Sequence, residues 1–318
     1  VGIYLTENDV DRLLGMEACI EALEQAFLEA ATGRLSFRPR SRVVLPQAML
    51  HVLPAASERL GRMAVKCYAT SRAGARFVLL LFDANTSDLL AVMEADRLGQ
   101  RRTGAASGVA TRRMARRDAT TLAILGTGWQ ARAQAEAIAR VRKLREIRAW
   151  GRDRGRLIDF CGEVAKATGV AVQPSPSAEA AVRGADIVTT ATSAAQPILK
   201  GAWLSPGVHV NAVGSNRSDR REIDDEAVAR ADVIVADSVE QARLEAGDLL
   251  LAVPAEDALP PVTRAVELSA VVAGRHPGRT DERAITLFKS LGIGLEDLAA
   301  ASLVYDRAVA AGVGRPFP

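Results

Sequence analysis

The hydrophobic positions of this chain change their period twice. Between Thr6 and Gly33 they recur every three or four residues, with Ile20, Leu23, Phe27 and Ala31 on one stripe, which is the spacing of an amphipathic helix. Thr6 and Asp9 make a weak capping-box pattern at its start, and Gly33 supplies a stop. From Ser41 to Met93 the apolar runs shorten to RVVLP, MLHVLP, MAVKCYA, RFVLLLFDA and DLLAVME, punctuated by Pro46, Pro54 and Asn85-Thr86-Ser87. Runs of this kind predict a mostly antiparallel sheet. GAASGVATRRMARR then reads as a helix whose small residues allow close packing.

From about Thr120 strands alternate with helices. The strand Leu122–Leu125 precedes a helix from about Gly128, and EIRAW precedes one from about Asp153. VAVQ leads to a short helix near 178–182, followed by the strands DIVTTAT, VHVNAVG and DVIVAD, the helical SVEQARLEAGDLL and a late strand AITLFKS. This order implies βαβ units and a parallel sheet. A terminal helix over Leu295–Ala311 puts Leu298, Ala301/Ser302 and Tyr305 on one face.

Composition narrows the class. At 318 residues the chain has room for about two domains, and 48% hydrophobic with 25% charged residues is ordinary for a globular protein. The net charge is +3, with arginines spread along the chain. The one dense basic run, Arg112 to Arg117, reads as a solvated helix end and not as the clustered footprint of nucleic-acid binding. Three cysteines (Cys19, Cys67, Cys161) and three histidines (His51, His209, His276) are too few and too dispersed for a disulfide framework or a metal site. With no apolar run of about 18 residues and no basic-then-apolar leader, the expectation is a cytoplasmic protein without a membrane partner.

The most informative motif is Gly126-Thr127-Gly128-Trp129-Gln130-Ala131, a G-x-G-x-x-A that follows a strand and opens a helix. Its first glycine permits a tight turn, its second lets the backbone approach a pyrophosphate, and its small third residue lets helix and strand pack closely. In that context the motif predicts a bound dinucleotide. The next strand ends in Gly151-Arg152-Asp153-Arg154, so Gly151 stands where NAD enzymes carry an acid for the ribose 2′-hydroxyl. Arg152 beside it suits a 2′-phosphate and favours NADP over NAD. Asp153 keeps NAD possible: it is either a helix cap or that acid displaced.

RRTGAASGVATRRMA, LAILGTGWQARAQ, ADIVTTATSA, VNAVGSNRSDRREID and ITLFKSLGIGLEDLAA, in that order, together resemble the ornithine cyclodeaminase/mu-crystallin family over nearly the whole chain. The resemblance implies an α/β fold in which a Rossmann-type, doubly wound parallel-sheet domain (119–295) is inserted in an α+β substrate-binding and dimerisation domain (1–118, completed by the helix 296–318). It also implies a homodimer formed through the N-terminal sheets. Thr103, Thr190, Ala191, Thr192, Val213, Gly214, Ser215, Ser290 and Gly292 would join the phosphate loop, Gly151 and Arg152 around the cofactor.

By the same resemblance, Arg42, Lys66 and Arg102 would hold a substrate carboxylate, with Arg101 leaving the register of Arg102 open. Lys66 would also polarise an imine or carbonyl; its plainer reading is a strand-edge lysine facing solvent. Cys67, pointing the other way, reads as core. Two positions depart from ornithine cyclodeaminase. Asn216 stands where that enzyme has an aspartate serving the amine, and an amide takes no proton at neutral pH; Asp219 nearby could partly substitute. His51 stands where it has a glutamate, and is either a general acid or a packed sheet histidine.

With Lys66, His51 and Asn216 as candidate catalytic side chains, the expected activity is NAD(P)H-dependent reduction of a small α-imino acid, such as pyrroline-2-carboxylate or a linear imine, to an amino acid. An ornithine cyclodeaminase-type cyclase using bound NAD is the first alternative. A non-catalytic binder of small ligands, resembling mu-crystallin, is the second, although 4% aromatic residues offer few rings for it.

Overall fold

The computed structural model describes residues 2–253 and 259–317. In chain order the elements begin with strand β1 (Gly2–Leu5), helices α1 (Glu7–Leu13) and α2 (Met16–Ala31) and strands β2 (Leu35–Phe37), β3 (Ser41–Val44), β4 (Ala48–Ser57), β5 (Arg62–Ser71), β6 (Gly74–Asp83) and β7 (Leu89–Glu94), and reach helix α3 (Asp96–Met114). There follow β8 (Thr121–Leu125), α4 (Trp129–Val141), β9 (Glu146–Trp150), α5 (Arg154–Thr168), β10 (Ala171–Pro174), α6 (Ala178–Val182), β11 (Ile187–Thr190) and β12 (His209–Ala212). The rest are α7 (Asp225–Ala229), β13 (Val233–Ala236), α8 (Val239–Glu245), α9 (Gly247–Leu250), β14 (Val266–Glu267), α10 (Leu268–Val272), β15 (Thr286–Lys289), α11 (Gly294–Ala311) and β16 (Arg315–Phe317). The chain forms two units, Val1–Ala105 with Gly292–Pro318, and Ala106–Leu291. They part inside α3, where an unbroken helical pattern carries no mark of the division.

The first unit is built on a sheet of order β16-β1-β7-β6-β5-β4-β2, with β3 also paired to β4. Its pairs are antiparallel except β1 with β7. Helices α2 and α11 pack on each other, and α11 also lies on β4 and β5. Ile20, Leu23, Phe27, Leu53, Leu79, Leu81 and Leu298 are all buried there. Strict alternation buries His51, Leu53 and Ala55 on β4 and Ala64, Lys66 and Tyr68 on β5, as expected when one sheet face is covered. The other face keeps Leu50, Met63 and Val78 exposed. Cys67 lies on that side and is only half-buried, so it is not core.

Local differences from the sequence reading have local causes. The single helix expected over Thr6–Gly33 is two, because Leu14 leaves helical geometry and Gly15 restarts it as an N-cap. The Thr6–Asp9 capping box does form, with Thr6 N donating to Asp9 Oδ2 at 3.0 Å. The helix expected through SVEQARLEAGDLL also breaks, at Ala246. Strands β1 and β16 run four and three residues, too short to show a period.

The second unit is an all-parallel sheet of order β10-β9-β8-β11-β12-β15-β13-β14. The central strands β8, β11, β12, β13 and β15 are buried along their whole length. From β8 the chain runs outward to β9 and β10, then returns to pair β11 on the other side of β8. That reversal is where open α/β sheets bind ligands, outside the carboxyl ends of their strands. Among the described residues no helix is long and apolar enough to cross a membrane, and no group of three or more His, Cys, Asp or Glu is placed to hold a metal ion.

Candidate functional site

The first unit gathers cations on the covered face of its sheet. Register places Arg42 opposite His51, His51 opposite Tyr68 and Leu53 opposite Lys66. Lys66 is therefore a side chain of the buried face, 2% exposed, and not a strand-edge lysine in water. Its Nζ lies 2.8 Å from Asp297 Oδ1 and 5.8 Å from the centre of the Tyr68 ring. The same carboxylate oxygen is 2.8 Å from Arg102 Nε, and Arg102 Nη1 reaches Glu296 Oε2 at 2.7 Å. Both acids stand in the first turn of α11, where the helix dipole favours negative charge. Buried charges persist only when paired in this way.

Burial and the nearby Arg102 charge bring Lys66 down to about 8, against the pull of Asp297. His51 stacks on Tyr68 at 4.1 Å and meets Thr70 Oγ1 through Nε2 at 3.2 Å. Its Nδ1 is buried and has no hydrogen-bond partner among the described residues. Burial first, then the charges of Arg42, Arg40 and Lys66, hold it at about 4. Held down in this way, the ring is neutral at pH 7 and offers one N–H donor and one nitrogen acceptor, which suits hydrogen bonding more than proton donation.

Arg40, which the sequence reading passed over, belongs to the same cluster: it is buried and donates from Nη2 to the Gly292 carbonyl at 2.8 Å. Glu296 and Asp297 were also missed. The acidic pair in GLEDLAA was the available signal, since two carboxylates at the start of an apolar helix need a partner. Thr103 and Gly292, expected at the cofactor, lie in the first unit, where Thr103 Oγ1 donates to the Gly99 carbonyl.

In the second unit the phosphate loop joins β8 to α4. Gly126 has φ +121°, and a Cβ there would lie 2.4 Å from the Ala191 carbonyl oxygen. Gly128 is the N-cap of α4 without a side-chain cap, and a Cβ on it would meet nothing within 4 Å. The helix end is thus bare and open, as a pyrophosphate requires. Arg132, another residue not foreseen, donates to the Thr127 and Gly128 carbonyls at 3.1 and 3.0 Å and ties the loop to its helix. A Cβ on Gly151 would lie 2.7 Å from Thr127 Cγ2, so a side chain at 151 would require Thr127 to move. Arg152 and Arg154 are exposed around Asp153, whose Oδ1 accepts from Arg156 N at 3.0 Å as the N-cap of α5.

Thr190 ends β11, with Ala191 and Thr192 after it; Val213, Gly214, Ser215 and Asn216 follow β12. Ser290, buried, follows β15. These segments occupy the carboxyl edge of the sheet. Asp219 is exposed and engaged by Arg217 through two contacts of 2.8 Å, which hold its carboxyl below the usual range. It makes a poor substitute for the missing aspartate at position 216.

Comparison with known proteins places the whole chain in a family. Residues 2–312 match the model of the ornithine cyclodeaminase/mu-crystallin family. The chain is 36% identical to ketimine reductase mu-crystallin of Mus musculus over 88% of its own length and 90% of that protein. It is 31% identical to a delta(1)-pyrroline-2-carboxylate reductase of Bacillus cereus over 98% of both. Among solved structures, the Thermococcus litoralis delta(1)-pyrroline-2-carboxylate reductase in complex with NADH and L-proline superposes with a TM-score of 0.93 at 33% identity, covering 99% of this chain and 100% of that one. A buried cationic cluster, a bare-ended phosphate loop and a likeness spanning the whole chain converge: this protein belongs to the ornithine cyclodeaminase/mu-crystallin family.

Proposed function

We infer that the protein is an NAD(P)H-dependent reductase that converts a small α-imino acid, such as pyrroline-2-carboxylate, to the amino acid. The observation that carries this reading is the buried cation cluster around Lys66, a place made for an anion and lying on the same chain as a dinucleotide loop. The dinucleotide, when bound, supplies the hydride; Gly126–Ala131 would hold its pyrophosphate. Arg42, Arg102 and Lys66 hold the substrate carboxylate, with Arg102 fixed in advance by Glu296 and Asp297. Lys66, low enough to release a proton near neutrality, donates to the imine nitrogen or its water. The buried Nδ1 of His51 hydrogen-bonds the rest of the substrate, and Asn216 holds an amine or water without taking its proton.

NADP is the cofactor this reading assigns. Gly151 leaves no acid for the 2′-hydroxyl, Asp153 is committed to capping, and Arg152 stands exposed beside it. Purified protein should consume NADPH, followed at 340 nm, with pyrroline-2-carboxylate, piperideine-2-carboxylate, or pyruvate plus ammonia or methylamine. No consumption with any of them, together with ammonia release from ornithine and NAD⁺, would overturn the reductase reading. Arg152→Asp should raise the KM for NADPH roughly ten- to a hundredfold, as expected for losing a charge-assisted pair, and leave that for NADH nearly unchanged. Equal changes for both would remove the case for NADP. The apolar outer face of the first unit's sheet, with Leu50, Met63 and Val78 exposed, supports a homodimer formed through it; sedimentation at the mass of one chain, 33.7 kDa, would refute that.

A further inference from the structure

Glu222 has no part in the mechanism above, yet it is fully buried and its carboxylate accepts four hydrogen bonds. Oε1 takes Thr192 N at 2.6 Å and Thr192 Oγ1 at 2.7 Å; Oε2 takes Thr190 Oγ1 and Gly214 N, each at 2.7 Å. One side chain thereby ties together the segments that leave the carboxyl ends of β11 and β12. The approach is so close that a Cβ on Gly214 would lie 2.3 Å from the Thr192 carbonyl oxygen. The intervening residue, Ala191, is the one whose carbonyl abuts Gly126 of the phosphate loop.

The other side of the β12 segment is fastened by the same group of residues. Asp248 Oδ1 accepts the backbone N–H of Glu222 at 2.6 Å, and its Oδ2 lies 2.9 Å from Lys289 Nζ. Lys289 in turn donates to the Ala212 and Ser215 carbonyls at 3.1 and 2.6 Å. Glu222, Asp248 and Lys289 are each 0% exposed, so the circuit is closed and dry. Gly214 is gripped through its N–H by Glu222, while the carbonyls on either side of it are gripped by Lys289.

We propose that Glu222 is a positioning residue for the dinucleotide, setting the spacing between the pyrophosphate loop at Gly126 and the segment 213–216 at the carboxyl end of β12. This rests on the dinucleotide reading above and adds a residue to it that touches neither cofactor nor substrate. Both oxygens are required as acceptors, because each takes one backbone N–H. A glutamine of the same shape must turn its NH₂ toward either Thr192 N–H or Gly214 N–H, whichever way it flips, and leaves that donor without an acceptor.

The test is Glu222→Gln, with NADPH binding followed by fluorescence titration and amide hydrogen exchange followed without cofactor. NADPH should bind roughly ten- to a hundredfold more weakly, the effect of orphaning one buried donor, and exchange at Thr192 or Gly214 should quicken. An unchanged Kd, with or without a lower melting temperature, would confine Glu222 to stability and overturn the proposal. Should Glu222→Gln fail to fold, Glu222→Asp decides by the same two readings, since the shorter side chain keeps both acceptor oxygens but cannot reach both segments at once; it should weaken NADPH roughly threefold. Wild-type protein that binds neither NADPH nor NADH would overturn the dinucleotide reading itself, which separates that failure from one confined to Glu222.

Discussion

Lys66→Met is expected to lower kcat/KM for reduction of pyrroline-2-carboxylate by about 10³-fold, the middle of the range for removing a general acid. The variant should still fold. Asp297 keeps Arg102 Nε at 2.8 Å, so no buried acid is left without a counter-charge, the usual reason that breaking an ion pair destabilises. Methionine also fills the space of the lysine stem without a buried charge. NADPH affinity, measured by titration, should not change, because the phosphate loop belongs to the other unit.

Lys66→Arg separates the two duties assigned to the residue. Guanidinium retains the charge that holds a carboxylate but gives up no proton at accessible pH, so KM should recover more than kcat. The wild-type rate of reduction should fall as pH rises through about 8, where Lys66 loses its proton, and that descending limb should be missing in Lys66→Met. A Met variant within tenfold of wild type, or one that keeps the limb, would remove Lys66 from the chemistry.

Gly126→Ala is expected to unsettle the whole second unit. Its Cβ would lie 2.4 Å from the Ala191 carbonyl oxygen and 2.8 Å from the carbonyl carbon, both backbone atoms that cannot swing away. At φ +121° the added methyl group is strained even without that clash. Strain and overpacking together give a loss of about 2–5 kcal/mol, read as a shift in the urea midpoint, and NADPH binding should fall below detection. Gly128→Ala makes the contrast. Its surroundings are open and its φ is −85°, so stability should hold while the pyrophosphate is kept off. If Gly126→Ala melts with the wild type and binds NADPH, the close packing of β8 and β11 at their carboxyl ends is wrong.

The two glycines show where the sequence was readable. G-x-G-x-x-A between a strand and a helix specifies a loop because the constraint is local, and the alternation of strands and helices specifies a parallel sheet for the same reason. Lys66 was legible as a candidate through a resemblance, but its burial depended on which face of β5 the helices cover. Gly151 could be read as a missing acid, but its tight contact with Thr127, at the end of a different strand, could not. Asp153 left two readings open until the backbone of α5 placed Arg156 N against it. Arg40 and Glu222 went unnoticed because their partners stand on other elements, which no period encodes; Glu296 and Asp297 left a signal as an acidic pair, but not the identity of their partners.

The partners of Lys66 and Arg102 lie 231 and 194 residues further along the chain, and β1 waits for β16. On a ribosome, everything from Ala106 to Leu291 emerges before α11 does, so the second unit can complete itself while the first is still open. Until α11 arrives, Lys66 and Arg102 have no acids to neutralise them and the covered face of the sheet remains bare. The nascent chain therefore passes through a stage in which one half is finished and the other shows a cationic, apolar surface to the cell. A release of the C-terminal segment from the mature protein would return it to that stage.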